Sequence, residues 1–323
     1  MTHAIIMNEA GGPDVLKWQA VDTPEPGPGQ IRIHQTAVGL NYIDCYHRSG
    51  LYPLDLPASI GMEAAGMIDA IGDGVTTLSV GDRVAYASAP PGAYTQSRVI
   101  AAERVVALPD TINDDTAAAM MLQGMTVQYL LRRTYRVQSG DTVLVHAAAG
   151  GVGLIACQWL KQLGATVIGT VGSDEKAELA SAHGCDHPII YTRENFAERV
   201  REITNGDGVP VVYDSIGKDT FEGSLDCLAP LGMFVSFGNA SGPLAPFDPG
   251  ILAAKGSLFF TRPSLVHYTA KSSDLQQSAK DLFDAVAKGL KIEINQRFPL
   301  KDAAAAHTAL EARETTGSTI LQP

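Results

Sequence analysis

One stretch of the sequence, residues 141–176, constrains the fold more than any other. Residues 143–145 are a short, β-branched apolar run of the kind that parallel sheets bury on both faces. A glycine-rich turn follows over 147–153, then a helical pattern over 154–163 and a second strand over 166–171. Strand, turn, helix and strand in this order predict a βαβ unit whose first turn can receive a pyrophosphate at a helix N-terminus.

The turn matches the dinucleotide fingerprint G-x-G-x-x-G only in part, because its three glycine positions fall on Ala148, Gly150 and Gly153. Gly150 lacks a side chain where the backbone must approach phosphate closely, and Gly153 permits close packing of helix on strand. A tight strand-to-helix turn without a ligand would look similar. The completeness of the unit favours nucleotide binding.

The end of the second strand indicates which nucleotide. NAD-binding units carry an acidic residue there for the ribose hydroxyl, whereas this strand ends in Thr170 and Val171. Ser173 offers a hydroxyl and Lys176 a cation, both suited to a 2′-phosphate. Asp174 is the opposing signal, although an acid in the first turn of the next helix is also stabilised by the helix dipole. The sequence therefore predicts NADP(H).

Length and charge limit the alternatives. A chain of 323 residues is long for one core, so two domains are expected. A net charge of −11 without a basic block argues against a nucleic-acid surface. No apolar stretch approaches the roughly 20 residues that cross a bilayer, and the N-terminus does not resemble a secretory signal. We expect a cytoplasmic protein whose four scattered cysteines are reduced, without a zinc-finger cluster.

The rest of the chain predicts how the two domains are divided. Residues 1–120 are mainly strand-like, including a predicted strand at 92–99, and a helix over 114–133 leads into the second domain. Strands then alternate with helices, which indicates a doubly wound parallel sheet. Its further predicted strands are 187–191, 209–215, 233–237 and an edge strand at 257–261. A helix at 281–288 and a strand-rich tail follow, and we expect this tail to return to the first domain.

The segment from residue 39 to 53 is a short helix dense in polar and aromatic groups. Asn41, Tyr46 and Tyr52 can line a flat apolar site with amide and hydroxyl groups. The alternative is that the tyrosines pack a domain surface and Asn41 caps the helix.

Together these motifs resemble one family across essentially the whole chain. They are the sequences at 41–44, 48–53, 61–66, 147–153 and 315–318. The chain is similar to the zinc-independent quinone oxidoreductases of the medium-chain dehydrogenase/reductase superfamily, the group that includes ζ-crystallin. Alanine at position 148 is normal in this branch.

The resemblance implies an α/β fold with a GroES-like, mainly β catalytic domain (1–120 and 262–323) and a Rossmann NADPH-binding domain (121–261). It also implies a homodimer, joined near residues 257–261. The residues that it implies as NADPH contacts are Asn41, Tyr42, Ile43, Asp44, Cys45, Tyr129, Gly151, Val152, Gly172, Ser173, Lys176, Tyr191, Tyr213, Phe237, Gly238, Asn239, Ala240 and Arg313.

Zinc-dependent relatives carry a Cys-x-x-Asp step where this chain has Asn41 to Asp44, and Gly-His-Glu where it has 61–63. Asparagine and methionine cannot replace thiolate and imidazole as zinc ligands. We therefore expect no metal at this position.

The expected reaction is hydride transfer from NADPH to a small quinone, with Asn41, Tyr46 and Tyr52 orienting the acceptor and no obligatory acid or base assigned. A quinone needs little beyond positioning, desolvation and a proton source. The alternatives are an NADPH-dependent alkenal or enone reductase, and a non-catalytic NADPH-binding or RNA-binding protein like some ζ-crystallin relatives.

Overall fold

The computed structural model describes residues 1–87 and 90–323 of the chain. The chain divides into two compact units. The first unit contains Met1–Met125, Thr269–Leu282 and Ile292–Pro323, and the second contains Thr126–Tyr268 and Phe283–Lys291.

The strands, in chain order, are β1 (Thr2–Ile6), β2 (Lys17–Val21), β3 (Gln30–Leu40), β4 (Glu63–Ile71), β5 (Arg83–Ala87), β6 (Ser97–Ala101), β7 (Val106–Ala107), β8 (Thr142–Val145), β9 (Thr166–Val171), β10 (His187–Ile190), β11 (Val209–Asp214), β12 (Leu228–Ser236), β13 (Phe259–Thr261), β14 (Ile294–Pro299) and β15 (Ser318–Gln322).

The α-helices are α1 (Tyr42–Ser49), α2 (Asp114–Tyr129), α3 (Gly151–Gln162), α4 (Asp174–Ala182), α5 (Phe196–Ile203), α6 (Phe221–Cys227), α7 (Gly250–Ala254), α8 (Leu265–Tyr268), α9 (Ser272–Ala287) and α10 (Ala303–Glu311). A π-helical turn, Leu130–Thr134, continues α2, and short 3-10 turns lie at Pro13–Val15, Ala102–Arg104 and Leu300–Asp302.

The first unit is built on a seven-stranded sheet in which β3 is the organising strand. It pairs antiparallel with β4, β6 and β15. Alternate residues of β3, such as Ile31 and Ile33, are fully buried, while His34 between the buried positions is exposed as its polar phase predicts. The end of the chain joins this sheet through β15, with β14 parallel to it, whereas Phe283–Lys291 belongs to the second unit.

The second unit is a six-stranded parallel sheet in the order β10-β9-β8-β11-β12-β13. Counted from β8, this is the 3-2-1-4-5-6 order of dinucleotide-binding sheets, which confirms the Rossmann prediction. The strand order reverses beside β8. The carboxyl end of β8 therefore lies where such sheets bind their ligands.

Several elements differ from their sequence-based predictions: β12 begins at Leu228 rather than at 233, and the short helices α6, α7 and α8 were not predicted. Three other differences have a clear physical reason. The predicted strand at 92–99 begins only at Ser97, because the backbone N–H groups of Gly92 and Ala93 both bond to the Gly61 carbonyl, a pattern that a strand ladder does not have. The predicted helix at 281–288 is the second half of α9, whose buried Leu275, Ala279 and Leu282 extend the apolar face upstream. Strand β2 was not predicted, since it pairs only with β1 and buries none of its residues.

Candidate cofactor and substrate sites

The turn between β8 and α3 leaves no room for a side chain at Gly153. A methyl group added there would lie 2.3 Å from the Ala147 carbonyl oxygen and 2.7 Å from the Ala148 Cα atom. Ala147 itself adopts a left-handed conformation, φ +54°, which turns the chain sharply after β8. Gly153 thus lets α3 pack directly on the turn, as its place in the fingerprint predicts.

Packing against β9 explains the alanine at position 148, the first position of the fingerprint. Its side chain is fully buried, and the facing residue on β9 is Gly169. A methyl group on Gly169 would lie 2.6 Å from the Ala148 Cβ atom. The methyl group of Ala148 therefore occupies the space that Gly169 leaves empty.

The N-terminus of α3 fits a pyrophosphate. Gly150 is the N-cap residue and provides no side-chain cap. The first N–H groups of a helix have no intrahelical partners, and they attract anions. Gly151 and Val152, two predicted contacts, are half-buried in this first turn. A methyl group at Gly150 would lie 3.3 Å from the Ala147 oxygen.

A buried network behind the turn was not predicted from the sequence. His146 follows β8 and bridges Thr170 on β9, at 2.9 Å from Nδ1, and Ser224 on α6, at 2.9 Å from Nε2. Ser224 in turn donates to the Asp214 carboxylate at 3.3 Å. Burial lowers the pKa of His146, which keeps the ring neutral. A lone histidine among apolar residues gives no periodic signal, so only the fold reveals this network.

Asp214 also arranges the loops at the carboxyl end of the sheet. Its carboxylate accepts the backbone N–H groups of Ile216 and Gly217 at 2.7 and 2.8 Å. Its own carbonyl accepts the N–H of Phe237 at 2.7 Å, which brings the predicted contacts at 237–240 beside the loop after β11. Gly238 packs on that loop so closely that a methyl group on it would lie 2.4 Å from the Ser215 oxygen.

Four predicted contacts lie together at the end of β9. Ser173 caps α4, since its hydroxyl accepts the backbone N–H of Lys176 at 3.3 Å. A methyl group on Gly172 would lie 3.0 Å from the Tyr191 hydroxyl oxygen. Tyr191 is 44% exposed, so its ring lies on the surface of this corner. These residues form the phosphate corner, which we define as Gly172, Ser173, Lys176 and Tyr191.

Two other predicted contacts are buried in the second unit. Tyr213 is 1% exposed and donates its hydroxyl to the Leu130 carbonyl at 3.3 Å. Tyr129 stacks on Tyr268, with ring centroids 4.4 Å apart. Burial raises the pKa of both predicted tyrosines, so they remain protonated. The sequence does not show how deeply these rings are buried.

In the first unit, Asn41 is the N-cap of α1, and its backbone N–H donates to the Asp44 carboxylate at 2.9 Å. Its side-chain nitrogen donates to Glu63 at 2.6 Å, and its oxygen accepts from Gln123 at 3.3 Å. Burial raises the pKa of Glu63 to about 8. The Asn41 amide is thus fixed by neighbours on two sides, as an orienting group must be.

A chain of buried hydrogen bonds joins α1 to α10. The Tyr94 hydroxyl lies 3.1 Å from the Asp44 carboxylate and 3.0 Å from Nε2 of His307. Nδ1 of His307 lies 3.2 Å from the Arg48 guanidinium, which can only donate. Nδ1 is therefore the acceptor, and Nε2 carries the hydrogen that points to Tyr94. Arg48 also forms a bidentate ion pair with Glu311, at 2.7 and 2.9 Å.

The side chains in this hydrogen-bonded network have shifted pKa values. Burial raises the pKa of Asp44 to about 7 and lowers that of His307 to about 3, since each charged form would lose its water. Cys45 lies 3.4 Å from His307 Nδ1, and burial raises its thiol pKa. The side chains of Asp44 and Cys45 are fully buried, whereas those of Tyr42 and Ile43 are half-buried.

The predicted substrate residues Tyr46 and Tyr52 lie together in this unit. Their rings meet edge to face with centroids 5.3 Å apart. Tyr46 is buried and Tyr52 is half-buried. The two rings therefore form one aromatic cluster, which is compatible both with packing and with lining a site. Arg313 lies after α10, is exposed, and adopts a left-handed conformation, φ +62°.

Residues 1–87 and 90–323 contain neither a metal-binding cluster nor a membrane-spanning helix. In this part of the chain, no group of three or more His, Cys, Asp or Glu side chains is placed to hold a metal ion. Within the same residues, every helix is too short or too polar to span a bilayer.

Two family models match the sequence. The alcohol dehydrogenase GroES-like domain matches residues 27–110, and the zinc-binding dehydrogenase model matches residues 151–286. A quinone oxidoreductase of Pseudomonas aeruginosa is 56% identical over 97% of this chain and 97% of its own length. This chain is a member of the zinc-independent quinone oxidoreductase family. The GroES-like and Rossmann parts of the fold prediction are thereby confirmed.

Two other members of this superfamily are informative. The crystal structure of Escherichia coli quinone oxidoreductase complexed with NADPH has a TM-score of 0.98 and 47% identity, covering 99% of this chain and 100% of that one. A 2-haloacrylate reductase of Burkholderia is 48% identical over 100% of this chain and 99% of its own length.

Proposed function

We propose that this protein is an NADPH-dependent quinone oxidoreductase that works without zinc. The observation that carries this proposal is the phosphate corner at the end of β9, in a chain 56% identical to a quinone oxidoreductase. A serine hydroxyl and a lysine stand where NAD-binding units place an acid. These groups suit the 2′-phosphate of NADPH.

The proposed cofactor contacts come from both units of the chain. In the second unit, the first turn of α3 would hold the pyrophosphate, and the phosphate corner would hold the 2′-phosphate. The loop at 237–240, arranged by Asp214, lies at the carboxyl edge where such sheets bind their ligands. The remaining proposed contacts are Tyr129 and Tyr213 in the second unit and Asn41, Tyr42, Ile43, Asp44, Cys45 and Arg313 in the first.

Asn41, Tyr46 and Tyr52 are the proposed substrate residues. When bound, NADPH supplies a hydride, and the quinone needs one proton from another source to become a hydroquinone. The fixed Asn41 amide orients the acceptor oxygen, and the two tyrosine rings offer a flat apolar surface. Water or a tyrosine hydroxyl delivers the proton.

The proposed activity is tested by the oxidation of NADPH at 340 nm with 1,4-benzoquinone as acceptor. We expect turnover that requires both substrates and survives extensive treatment with a chelator. Matched assays with NADH measure the cofactor preference. Absence of quinone-dependent NADPH oxidation would contradict the proposal.

A second candidate is NADPH-dependent reduction of an activated alkene. The relative named 2-haloacrylate reductase favours it, because that protein aligns with the whole of this chain at 48% identity. Both reactions deliver hydride to a conjugated, electron-poor acceptor. Turnover on 2-chloroacrylate and on 2-alkenals, measured beside benzoquinone, separates the two candidates by their kcat/KM values.

We also propose a homodimer that forms through β13, and a cytoplasmic location. Strand β13 is the outer strand of the parallel sheet, and Phe259 on it is 56% exposed. An open strand edge with an exposed aromatic side chain favours pairing with a second copy. The four cysteines are free thiols in the described structure, as expected in a reducing compartment.

A further inference from the structure

The acidic residue that opposes NADPH binding in this sequence is neutralised by an arginine from another element. Asp174 begins α4, directly after the cap residue Ser173. Its two carboxylate oxygens accept from the two terminal nitrogens of Arg193, at 2.6 and 3.0 Å. This is a bidentate pair, the most directional form of a carboxylate–guanidinium contact.

Arg193 reaches Asp174 because its loop is fastened to the phosphate corner. The loop leaves β10 at Tyr191, whose hydroxyl lies against Gly172. Thr192 donates its hydroxyl to the Gly172 carbonyl at 3.2 Å. Arg193 is the next residue, so its guanidinium lies beside the phosphate corner, which would bind the 2′-phosphate.

Stability does not account for this pair. The side chains of Arg193 and Asp174 are 57% and 65% exposed. Ion pairs at such exposed sites contribute little to folding, since water screens them and two long side chains lose conformational freedom. The position of the pair, next to Ser173 and Lys176, matters more than its strength.

An unpaired carboxylate at position 174 would repel a 2′-phosphate, which carries up to two negative charges. We propose that Arg193 is a specificity-determining residue that masks Asp174 and so permits the preference for NADPH over NADH. This inference rests on the proposed cofactor. The other acid in the first turn, Glu175, bonds to Ser173, which lowers its pKa, and Lys176 supplies the balancing cation.

The test measures ligand binding and needs no turnover. Isothermal titration compares adenosine 2′,5′-diphosphate, which carries the 2′-phosphate, with adenosine 5′-diphosphate, which lacks it. We expect Arg193→Ala to weaken binding of the 2′-phosphate ligand roughly tenfold at low ionic strength and to leave 5′-diphosphate binding nearly unchanged. Arg199→Ala is the matched control, because the Arg199 side chain is 43% exposed and is also ion-paired, with Glu194 and Glu202.

The double variant Asp174→Asn/Arg193→Ala separates masking from direct phosphate contact. If Arg193 acts by masking, removing the carboxylate restores affinity for the 2′-phosphate ligand to within about threefold of the parent. An affinity that stays low in the double variant, or that never falls in Arg193→Ala, overturns the inference. Since the readout is binding, failure of quinone turnover would contradict the proposed function and leave this inference standing.

Discussion

At the scale of single residues, two buried carboxyl groups stand out in the first unit. Asp44 and Glu63 are both fully buried, and burial is the largest influence on each. Hydrogen bonds from Asn41 and Tyr94 favour the ionised forms but only offset part of this influence. The pKa values are raised to about 7 and about 8, close to the pH at which the protein would work.

These two groups make stability depend on pH in a definite direction. In the unfolded chain, carboxyl groups ionise at about pH 4. Between about pH 4 and 8 the folded state therefore holds more protons than the unfolded state, so the free energy of unfolding falls as pH rises. Above about pH 8 both states are ionised, and this contribution levels off.

Asp44→Asn tests this pH dependence. The variant keeps the shape of the group and an oxygen acceptor but does not titrate. We expect the free energy of unfolding to fall less between pH 5 and 8, where each proton difference is worth about 1.4 kcal/mol per pH unit. Urea denaturation at several pH values measures it.

The control is Asp55→Asn, at an exposed carboxyl group of the same unit. In this variant, the free energy of unfolding should change with pH as steeply as it does in the parent. An unchanged slope in Asp44→Asn would show that Asp44 is already ionised at low pH in the folded protein.

At the scale of elements, the two glycines in the turn between β8 and α3 are expected to have different roles, one in packing and one in cofactor binding. Gly153 lies against backbone atoms that cannot move without shifting the whole turn. A methyl group on Gly150 would have a single neighbour, the Ala147 oxygen at 3.3 Å, and Gly150 is the N-cap residue of α3. The two glycines of one fingerprint therefore serve different physical purposes.

Alanine substitutions should show this difference. Gly153→Ala is expected to destabilise the protein by about 1–3 kcal/mol, because the added methyl overpacks the turn. Gly150→Ala is expected to cost less stability but to weaken NADPH binding, since this fingerprint position lets the backbone approach the pyrophosphate closely. Thermal unfolding and quenching of protein fluorescence by NADPH measure the two effects. Equal loss of stability in both variants would contradict the assignment.

At the scale of the whole molecule, the homodimer proposed above can be tested at β13, the outer strand of the parallel sheet. Phe259→Lys places a charge on this edge, and edge charges disfavour strand pairing. We expect the variant to sediment as a monomer where the parent sediments as a dimer. Val80→Lys, at a 59% exposed apolar position in the first unit, is the control and should keep the parent's state. A dimeric Phe259→Lys would place the interface elsewhere.

The sequence by itself determined the parts of this protein whose signals are local. The βαβ unit, the sheet strands and the serine and lysine after β9 are read from neighbouring residues, because a strand, a turn and a helix each have their own periodicity. Most strands of the Rossmann unit were predicted to within about two residues, but β12 begins at Leu228 rather than at the predicted 233, and the short helices α6, α7 and α8 were not predicted. Strand β2 and the first half of α9 were missed as well, since β2 is unburied and that half of α9 is interrupted by polar positions.

Only the tertiary structure decided the contacts between distant segments. The sequence does not show that Arg193 pairs with Asp174, that His307 and Tyr94 link Arg48 to Asp44, or that His146 bridges Thr170 and Ser224. These side chains come from elements that are far apart along the chain and carry no periodic signal. Their partners, burial and pKa values are set when the fold brings the elements together.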